Sequence, residues 1–359
     1  MPRIRDTWTG IAVYIYDSLD AAQGGDHFGG SGFVVTRPLG ERADELAAYV
    51  ITNKHVIKDP AHPWSTTRVI RLNRSDGTTE CIPTTEDQWI CHEQGDDVAV
   101  FPLDTVWEAL KFATIDTSDF VTPQLLVDED IGIGDDTVMV GRFINYEGKQ
   151  RNTPSVRFGN IAMMNGDPIH SRTLGIDQES FLVETRSLPG YSGSAVLIYS
   201  PCAMNDMSER RFGIAKGPEV PNKPEEDPLN RHVIRLATSS KGPFLLGIDW
   251  CHIHRPAPVR VANGDPIQGG WYVEENTGMA GVIPAWKIAE VLEYDELVAA
   301  RKKQLQEFEQ RNRRPEASLD SAERPATQFT PEGAEIPIPT QEQFLDDLTK
   351  ATKRVKTDE

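Results

Sequence analysis

Three short segments of the 359-residue sequence contain the side chains that nucleophilic acyl transfer requires. His55 follows one strand-like apolar run and Asp97 precedes another, while Ser192 lies in a glycine-rich turn. A serine hydroxyl is a poor nucleophile, so a neighbouring imidazole must take its proton. A carboxylate must in turn hold that imidazole in the correct tautomer and stabilise the imidazolium that forms. Each segment alone is a weak signal, but together they fill all three roles.

The order of these residues along the chain separates unrelated types of hydrolase. The order His, Asp, Ser is that of chymotrypsin-type triads, whereas α/β-hydrolases and subtilisins each have a different one. The turn Gly190-Tyr191-Ser192-Gly193-Ser194 also lacks the last glycine of the G-x-S-x-G elbow. Asp96 is a weaker candidate than Asp97, because adjacent strand residues point to opposite faces. The pattern therefore indicates a triad of the chymotrypsin type.

The elements that must position these side chains are predicted to be short β-strands. The 28 glycines and 25 prolines favour a turn-rich β architecture over a helical bundle. Apolar runs predict strands nearly everywhere up to about residue 285, with one short helical pattern at Thr105–Phe112. The predicted strands are Ile11–Tyr16, Phe33–Val35, Tyr49–Thr52, Val69–Leu72, Val98–Phe101, Thr137–Val140, Ser155–Met163, Phe181–Glu184, Ala195–Tyr199, Phe244–Trp250 and Met279–Ile283.

Taken together, these segments resemble the trypsin-like (chymotrypsin-fold) serine peptidases, and within them the bacterial HtrA-like branch. The likeness covers residues 8–293 and is most specific in the combination of the three triad motifs. No PDZ-like module is recognisable after this region, unlike in many HtrA relatives. The matching segments are Gly30–Val35 (GSGFVV), Tyr49–Val56 (YVITNKHV), Asp97–Val100 (DVAV), Ile133–Gly141 (IGDDTVMVG), Ser155–Ile161 (SVRFGNI), Gly190–Ser194 (GYSGS), Leu246–Trp250 (LGIDW) and Gly281–Pro284 (GVIP).

The resemblance implies an all-β fold of two Greek-key β-barrels, followed by a C-terminal helix and a flexible tail. The N-terminal barrel would span residues 1–116 and carry His55 and Asp97. The C-terminal barrel would span residues 117–293 and carry Ser192. A charged helix at 294–312 and a tail at 313–359 would complete the chain.

The resemblance also assigns roles to individual residues. His55 would act as general base and then general acid, Asp97 would orient it, and Ser192 would be the nucleophile. The backbone N–H groups of Gly190 and Ser192 would form the oxyanion hole. A peptide substrate would lie as an extended strand beside the segment Asp249, Trp250 and Cys251.

Two departures from the family pattern concern regulation and specificity. Tyr191 stands where trypsins have an aspartate that receives a newly cleaved N-terminus, so that zymogen switch is expected to be absent. Control would then come from a partner or a conformational change. Arg186 lies near the expected base of the primary specificity pocket, where it would favour an acidic or polar substrate residue. The alternative, which we favour, is that Arg186 faces solvent or pairs with Glu184.

The function that these expectations describe is that of a serine endopeptidase acting through an acyl-enzyme intermediate. Two alternatives remain open. In the first alternative, the domain is a catalytically inactive binding scaffold, although a scaffold would have no need of the triad residues. Alternatively, the protein is an esterase for small acyl substrates, since the same acyl-enzyme chemistry serves both.

Composition and charge exclude several other classes. The net charge of −18 repels phosphate backbones and anionic lipids, so neither nucleic acid nor membrane is expected as a partner. No apolar run approaches the roughly 18–20 residues of a membrane span, and no signal peptide is recognisable, so a cytoplasmic location is predicted. The four cysteines form no CxxC pair, so a structural zinc site is not expected. Without a secretory signal, thiols are expected rather than disulfides, although Cys81 and Cys91 could face each other across a hairpin.

No metal and no cofactor are predicted. His252 and His254 alternate on one strand face, but two histidines without further ligands are a weak zinc signal.

Two further segments have compositions unlike the strand-rich region. Residues 201–241 form a long proline-containing stretch, either a gating loop or an insertion without function. Residues 311–339 carry five prolines and are predicted to be a linker. An amphipathic pattern at Thr340–Val355 predicts a short helix, which either packs back on the domain or docks a regulatory protein partner.

Overall fold

The computed structural model describes residues 4, 6–25, 29–40, 45–58, 67–103, 110–111, 113–143, 148–164, 167–171, 175–185, 190–198, 234–235, 243–261, 265, 267, 269–313, 327–329 and 335–337. The chain divides into two compact units, residues 1–305 and 306–359. The first unit contains every predicted triad residue.

Most of the described residues lie in β-strands. The strands are β1 Ala12–Tyr16, β2 Gly30–Pro38, β3 Leu46–Thr52, β4 Thr67–Asn73, β5 Thr79–Thr85, β6 Ile90–Cys91, β7 Ala99–Pro102, β8 Ala113–Asp116, β9 Asp136–Gly141, β10 Ser155–Met164, β11 Ile169–Ser171, β12 Ile176–Gln178, β13 Phe181–Glu184, β14 Ala195–Ile198, β15 Ile234–Arg235, β16 Phe244–Pro258, β17 Tyr272–Pro284, β18 Thr327–Phe329 and β19 Glu335–Pro337.

Helices are short and few among the described residues. They are α1 Asp6–Thr9, α2 Leu19–Gly24, α3 Lys54–Ile57, α4 Pro123–Asp128, α5 Ala285–Leu292 and α6 Asp295–Arg313, with single 3₁₀ turns at Glu86–Gln88 and Thr117–Asp119. None of these helices is long and apolar enough to cross a membrane.

The first half of the unit is a curved sheet with the strand order β5-β4-β1-β2-β3-β7-β6. Its central strands are buried on both faces, which is why β1 reads as the continuous apolar run Ala-Val-Tyr-Ile-Tyr rather than as an alternating one. The strand β3 ends at Thr52 and leads directly into α3, which carries His55. The predicted histidine therefore lies at the carboxyl end of a central strand.

The second half is a closed barrel with the strand order β10-β13-β17-β16-β14-β9. The hairpin of β16 and β17 is longer than the other barrel strands, and beyond the barrel wall its side chains are exposed. The helix α5 follows β17 and buries Ile288, Val291 and Leu292 in a core that contains residues from both halves. The predicted all-β fold of the chymotrypsin type is confirmed.

Three sequence-based expectations need correction. The first half is a half-barrel rather than a closed barrel, because no ladder among the described strands joins β5 to the two-residue β6. In the helical pattern predicted at Thr105–Phe112, the two described residues, 110 and 111, are not helical, and Leu110 forms an isolated β-bridge with Arg74. Within the predicted linker, β18 and β19 pair as an antiparallel hairpin. The other six residues of the Thr105–Phe112 pattern, the predicted helix at Thr340–Val355, and all but two residues of the 201–241 stretch lie outside the described residues.

None of the three described cysteines forms a disulfide bond. Cys81, Cys91 and Cys251 are all free thiols. Cys81 pairs with Arg71 of β4 and Cys91 pairs with Ala99 of β7, so the two residues do not face each other across a hairpin.

A buried polar cluster joins the sheet to the segment that leads into the barrel. The Arg71 guanidinium, fully buried in β4, donates from Nε to Asn152 Oδ1 at 2.7 Å and from Nη2 to the Gly148 carbonyl at 2.8 Å. Asn152 Nδ2 donates back to the Arg71 carbonyl at 2.6 Å. Asn73 adds reciprocal bonds to the Asn152 backbone. A buried guanidinium is costly unless it is fully hydrogen-bonded, so this cluster fixes where the two halves meet.

We predict that Asn152→Ala lowers the free energy of unfolding by about 2–4 kcal/mol, because it leaves buried donors and acceptors of Arg71 unsatisfied. Urea unfolding of the two variants measures the effect. Gln124→Ala, which removes an exposed amide bonded to Asp128, is the matched control and should cost less than about 0.5 kcal/mol. Equal stability of the two variants would show that the cluster does not hold the halves together.

Candidate active site

His55 and Asp97 form a close pair at the ends of neighbouring strands. His55 Nδ1 lies 2.5 Å from Asp97 Oδ2, and the His55 backbone N–H donates to Asp97 Oδ1 at 2.9 Å. The Asp97 side chain is almost fully buried, with 3 % of its surface exposed, whereas the His55 ring retains 23 %. A buried carboxylate at Nδ1 fixes the tautomer of the imidazole and leaves Nε2 as the nitrogen able to accept a proton.

The neighbouring carboxylate, Asp96, points elsewhere. Its Oδ2 atom lies 3.3 Å from the ammonium of Lys287 on α5, and its Oδ1 atom accepts a hydrogen bond from Gln178 at 2.7 Å. The structure thus brings Asp97, and not Asp96, to the imidazole.

Ser192 lies in a tight turn that is fixed from both sides. The Ser31 backbone N–H of β2 donates to the Ser192 carbonyl at 2.8 Å, and the Ser31 hydroxyl donates to the Gly190 carbonyl at 2.9 Å. On the other side, the Gly193 N–H donates to the Asp249 carbonyl of β16 at 2.9 Å. The serine turn is therefore held between the first sheet and the barrel.

The carbonyl groups of Gly190, Tyr191 and Ser192 accept hydrogen bonds, whereas two N–H groups of the turn donate to no described residue. No hydrogen bond between described residues uses the N–H of Gly190 or of Ser192 as donor. Free N–H groups on a turn that presents a serine hydroxyl are the donors that an oxyanion requires.

Gly193 permits the close approach of the turn to β2. Its φ of +89° lies in the region that favours glycine, and a Cβ atom there would lie 1.9 Å from the Ser31 carbonyl oxygen. The same atom would lie 2.6 Å from Thr52 Oγ1. No side chain fits at this position without displacing the serine turn.

The histidine helix and the serine turn meet at Gly30. A Cβ atom at Gly30 would lie 2.6 Å from the Val56 side chain and 3.3 Å from the Ser192 carbonyl oxygen. Between His55 and Ser192 themselves, both of them described, the structure has no hydrogen bond. Catalytic hydrogen bonds are often long without substrate and tighten when it binds.

Tyr191, the residue before Ser192, ties the serine turn to β10. Its ring is fully buried, and its hydroxyl accepts a hydrogen bond from Arg157 Nε at 2.9 Å and contacts Ser155 Oγ. The Arg157 guanidinium also lies 5.1 Å from the ring centroid. Sequence reasoning identified Tyr191 as a departure from the trypsin pattern but could not find these two partners on β10.

The segment predicted to bind substrate contributes backbone more than side chains. The Asp249 N–H donates to the Ser194 carbonyl at 3.0 Å, and the buried Trp250 indole donates to Ser180 Oγ at 2.9 Å. Burial, with the nearby Asp249 carboxylate, raises the pKa of the Cys251 thiol to about 12, so this thiol stays protonated at neutral pH. The predicted specificity residue, Arg186, lies outside the described residues.

The family model for the trypsin-like peptidase domain matches residues 30–199, which include all three predicted triad residues. This part of the chain is a trypsin-like peptidase domain. A comparison with curated proteins finds no significant match.

Among solved structures, the chain is similar to the following three at low sequence identity. The protease domain of MamO from Magnetospirillum magneticum is 16% identical, with 81% of this chain and 100% of that chain covered and a TM-score of 0.42. Deg5 is 18% identical, with 54% of this chain and 76% of that chain covered and a TM-score of 0.35. The inactive form of the Rv3671c protease, from M. tuberculosis, is 13% identical, with 79% and 88% covered and a TM-score of 0.36. The assignment of the domain depends on the family model and the strand topology.

One group of described residues has metal-ligand spacing, namely His92, Asp96 and Glu290. Lys287 already supplies a positive charge there, with Nζ 3.3 Å from Asp96 Oδ2 and 3.9 Å from Glu290 Oε1. Burial by itself lowers the pKa of Lys287, but Asp96, Glu290 and nearby Glu179 outweigh it and raise that pKa. The ammonium therefore stays charged, and we interpret the group as an ion-pair network.

We predict that Gly193→Ala destabilises the domain more than Gly134→Ala does. Gly134 has a similar φ of +101° with no atom within 4 Å of a Cβ, so both variants share backbone strain of about 1–3 kcal/mol. Only the variant at Gly193 also forces the turn away from Ser31. Urea unfolding measures both, and equal losses would mean that the turn tolerates displacement from β2.

Proposed function

We propose that the protein is a serine endopeptidase that hydrolyses peptide bonds through an acyl-enzyme intermediate. The observation that carries the proposal is the bond between His55 Nδ1 and the buried Asp97 carboxylate, together with a serine turn in which two N–H groups donate to no described residue. This arrangement supplies a base, an orienting charge, a nucleophile and oxyanion donors. No additional group is needed for acyl transfer.

In the proposed mechanism, Ser192 Oγ attacks the scissile carbonyl carbon while His55 Nε2 takes the hydroxyl proton. The N–H groups of Gly190 and Ser192 stabilise the negative oxygen of the tetrahedral intermediate. The intermediate collapses when His55 gives its proton to the leaving amine, and the acyl-enzyme remains on Ser192. Water then attacks with His55 again as base, and the acid product leaves. Asp97 stays ionised throughout and stabilises the imidazolium.

The barrel geometry favours peptides over small acyl esters. The strand β14 pairs with β16 only from Phe244 to Ile248, and the ladder continues through Asp249 to the serine turn. Beyond Asp249, β16 pairs with β17 on its other side, and no described strand pairs with its remaining edge. An extended peptide can add to such an edge through main-chain hydrogen bonds.

Regulation by a partner or by conformational change, rather than by zymogen cleavage, is also part of the proposal. The Tyr191 hydroxyl already has two partners, Ser155 and Arg157, so the turn needs no new N-terminal ammonium to complete it. We further propose that a regulatory protein binds the tail at 313–359, and that the protein acts in the cytoplasm on protein or peptide substrates.

The test of the proposed function is covalent labelling by a fluorophosphonate, followed by intact mass spectrometry. We expect one label on wild type and none on Ser192→Ala, whose peptidase turnover should fall by at least about 10⁴-fold. Ser118→Ala is the matched control, because Ser118 lies in the 3₁₀ turn at Thr117–Asp119 and bonds only to Asp116. It should label like wild type.

The same experiment separates the inactive scaffold from the enzyme. Folded wild type that takes no label, both alone and with cell extract or candidate partners, contradicts the proposal and supports the scaffold. Labelling that needs the extract supports a peptidase activated by a partner.

A further inference from the structure

Every polar group of Asp97 has a defined partner, and one of these partners comes from the second half of the domain. The carboxylate oxygens face His55, and the carbonyl oxygen accepts from Asn53 Nδ2 at 2.9 Å. The Asp97 N–H donates to Gln178 Oε1 at 2.8 Å. Asn53 and His55 lie together where β3 leads into α3, but Gln178 lies 81 positions beyond Asp97 along the chain.

The other end of the Gln178 amide engages the competing aspartate. Gln178 Nε2 donates to Asp96 Oδ1 at 2.7 Å and to the Glu179 carbonyl at 3.2 Å. One side chain therefore accepts from the backbone of Asp97 and donates to the carboxylate of Asp96. Gln178 is fully buried, so neither bond exchanges readily with water.

The position of Gln178 is fixed by the barrel. It is the last residue of β12, which pairs with β11 in a small hairpin outside the barrel order. The Gln178 carbonyl accepts from Ser180 Oγ at 3.1 Å, and Ser180 Oγ accepts from the Trp250 indole of β16. The hairpin end is thus connected to the same strand that holds the serine turn at Gly193.

We propose that Gln178 is a positioning residue for the triad, an inference that rests on the proposed function. Its amide holds the Asp97 backbone so that the carboxylate faces His55. The same amide also binds the carboxylate of the adjacent Asp96 and keeps it away from the His55 imidazole. Since Gln178 belongs to the second half, the alignment of His55 and Asp97 depends on how that half seats against the first.

The chemistry of the two bonds explains why an amide stands here. Methionine matches the length of glutamine but has no N–H donor and only a weak acceptor, so it leaves the buried Asp97 N–H unsatisfied. Glutamate keeps an acceptor for that N–H but places a second carboxylate against Asp96. A charge swap, Gln178→Glu with Asp96→Asn, restores a donor opposite an acceptor with the roles exchanged.

The first test compares steady-state kinetics and fluorophosphonate labelling rates of wild type, Gln178→Met, Gln178→Glu and the swap variant. We expect both single variants to lower kcat and the labelling rate by about 10–100-fold, with KM within about twofold. The swap should recover at least about tenfold over Gln178→Glu, because paired sites are non-additive. A swap variant no better than Gln178→Glu would contradict the amide's role.

The second readout is the low-field proton NMR resonance of the hydrogen bond between His55 Nδ1 and Asp97. We expect it to shift or broaden in Gln178→Met. Thr36→Val is the control, since it removes a buried bond to Thr114 in the same sheet and leaves every hydrogen bond of Asp97 in place. It should reduce stability while leaving the resonance and kcat unchanged.

These readouts separate the inference from the proposed function. If Gln178→Met loses stability like Thr36→Val but keeps both the resonance and kcat, Gln178 is structural only and the inference is overturned. If wild type takes no label, both alone and with cell extract or candidate partners, the proposed function fails, and the resonance still reports whether Gln178 aligns Asp97. Where Gln178→Met does not fold, the comparison of Gln178→Glu with the swap variant decides.

Discussion

The burial of one negative charge, the Asp97 carboxylate, constrains the structure around the site. A charged carboxylate removed from water is costly unless hydrogen bonds replace its hydration. The carboxylate has the His55 ring and the His55 N–H as partners, and the backbone of Asp97 is bound by Asn53 and Gln178. The sharp change from β3 into α3 at Asn53 follows from this requirement, because it places both His55 donors on the same carboxylate.

This constraint explains why the site needs both halves of the domain. In the proposed mechanism, the first sheet supplies the base and the charge, and the barrel supplies the nucleophile. Ser31 reaches from the sheet to the serine turn, and Gln178 reaches from the barrel side to Asp97. Arg71 and Asn152 fix the sheet to the segment before β10. Each of these contacts links residues distant in sequence, so the geometry forms only when the halves have docked.

The triad segments and most strands could be predicted from the sequence, whereas the long-range contacts between them could not. The residues around His55, Asp97 and Ser192 could be identified because the chemistry requires particular side chains beside strand ends and glycine turns. The strands followed from apolar runs such as β1. Gln178 carried no signal, because a glutamine at the end of a three-residue strand is unremarkable until its partners 81 positions away are known. The open edge of the first sheet also escaped, since pairing between β5 and β6 depends on register rather than composition.

The buried Tyr191 side chain limits how the proposed activity could be regulated. A phenol held by Ser155 and Arg157 leaves the turn without an unpaired buried charge, so no incoming cation is needed to order it. The residues that hold Asp97 are less firmly tied to the barrel than the serine turn is. One of them, Gln178, lies on a small hairpin that pairs with no described strand of the barrel. A contact that moves this hairpin would release the Asp97 backbone and free the Asp96 carboxylate together. Under the proposed regulation by a partner or a conformational change, control would act on the seating of the β11–β12 hairpin against the aspartate loop, and not on the serine turn.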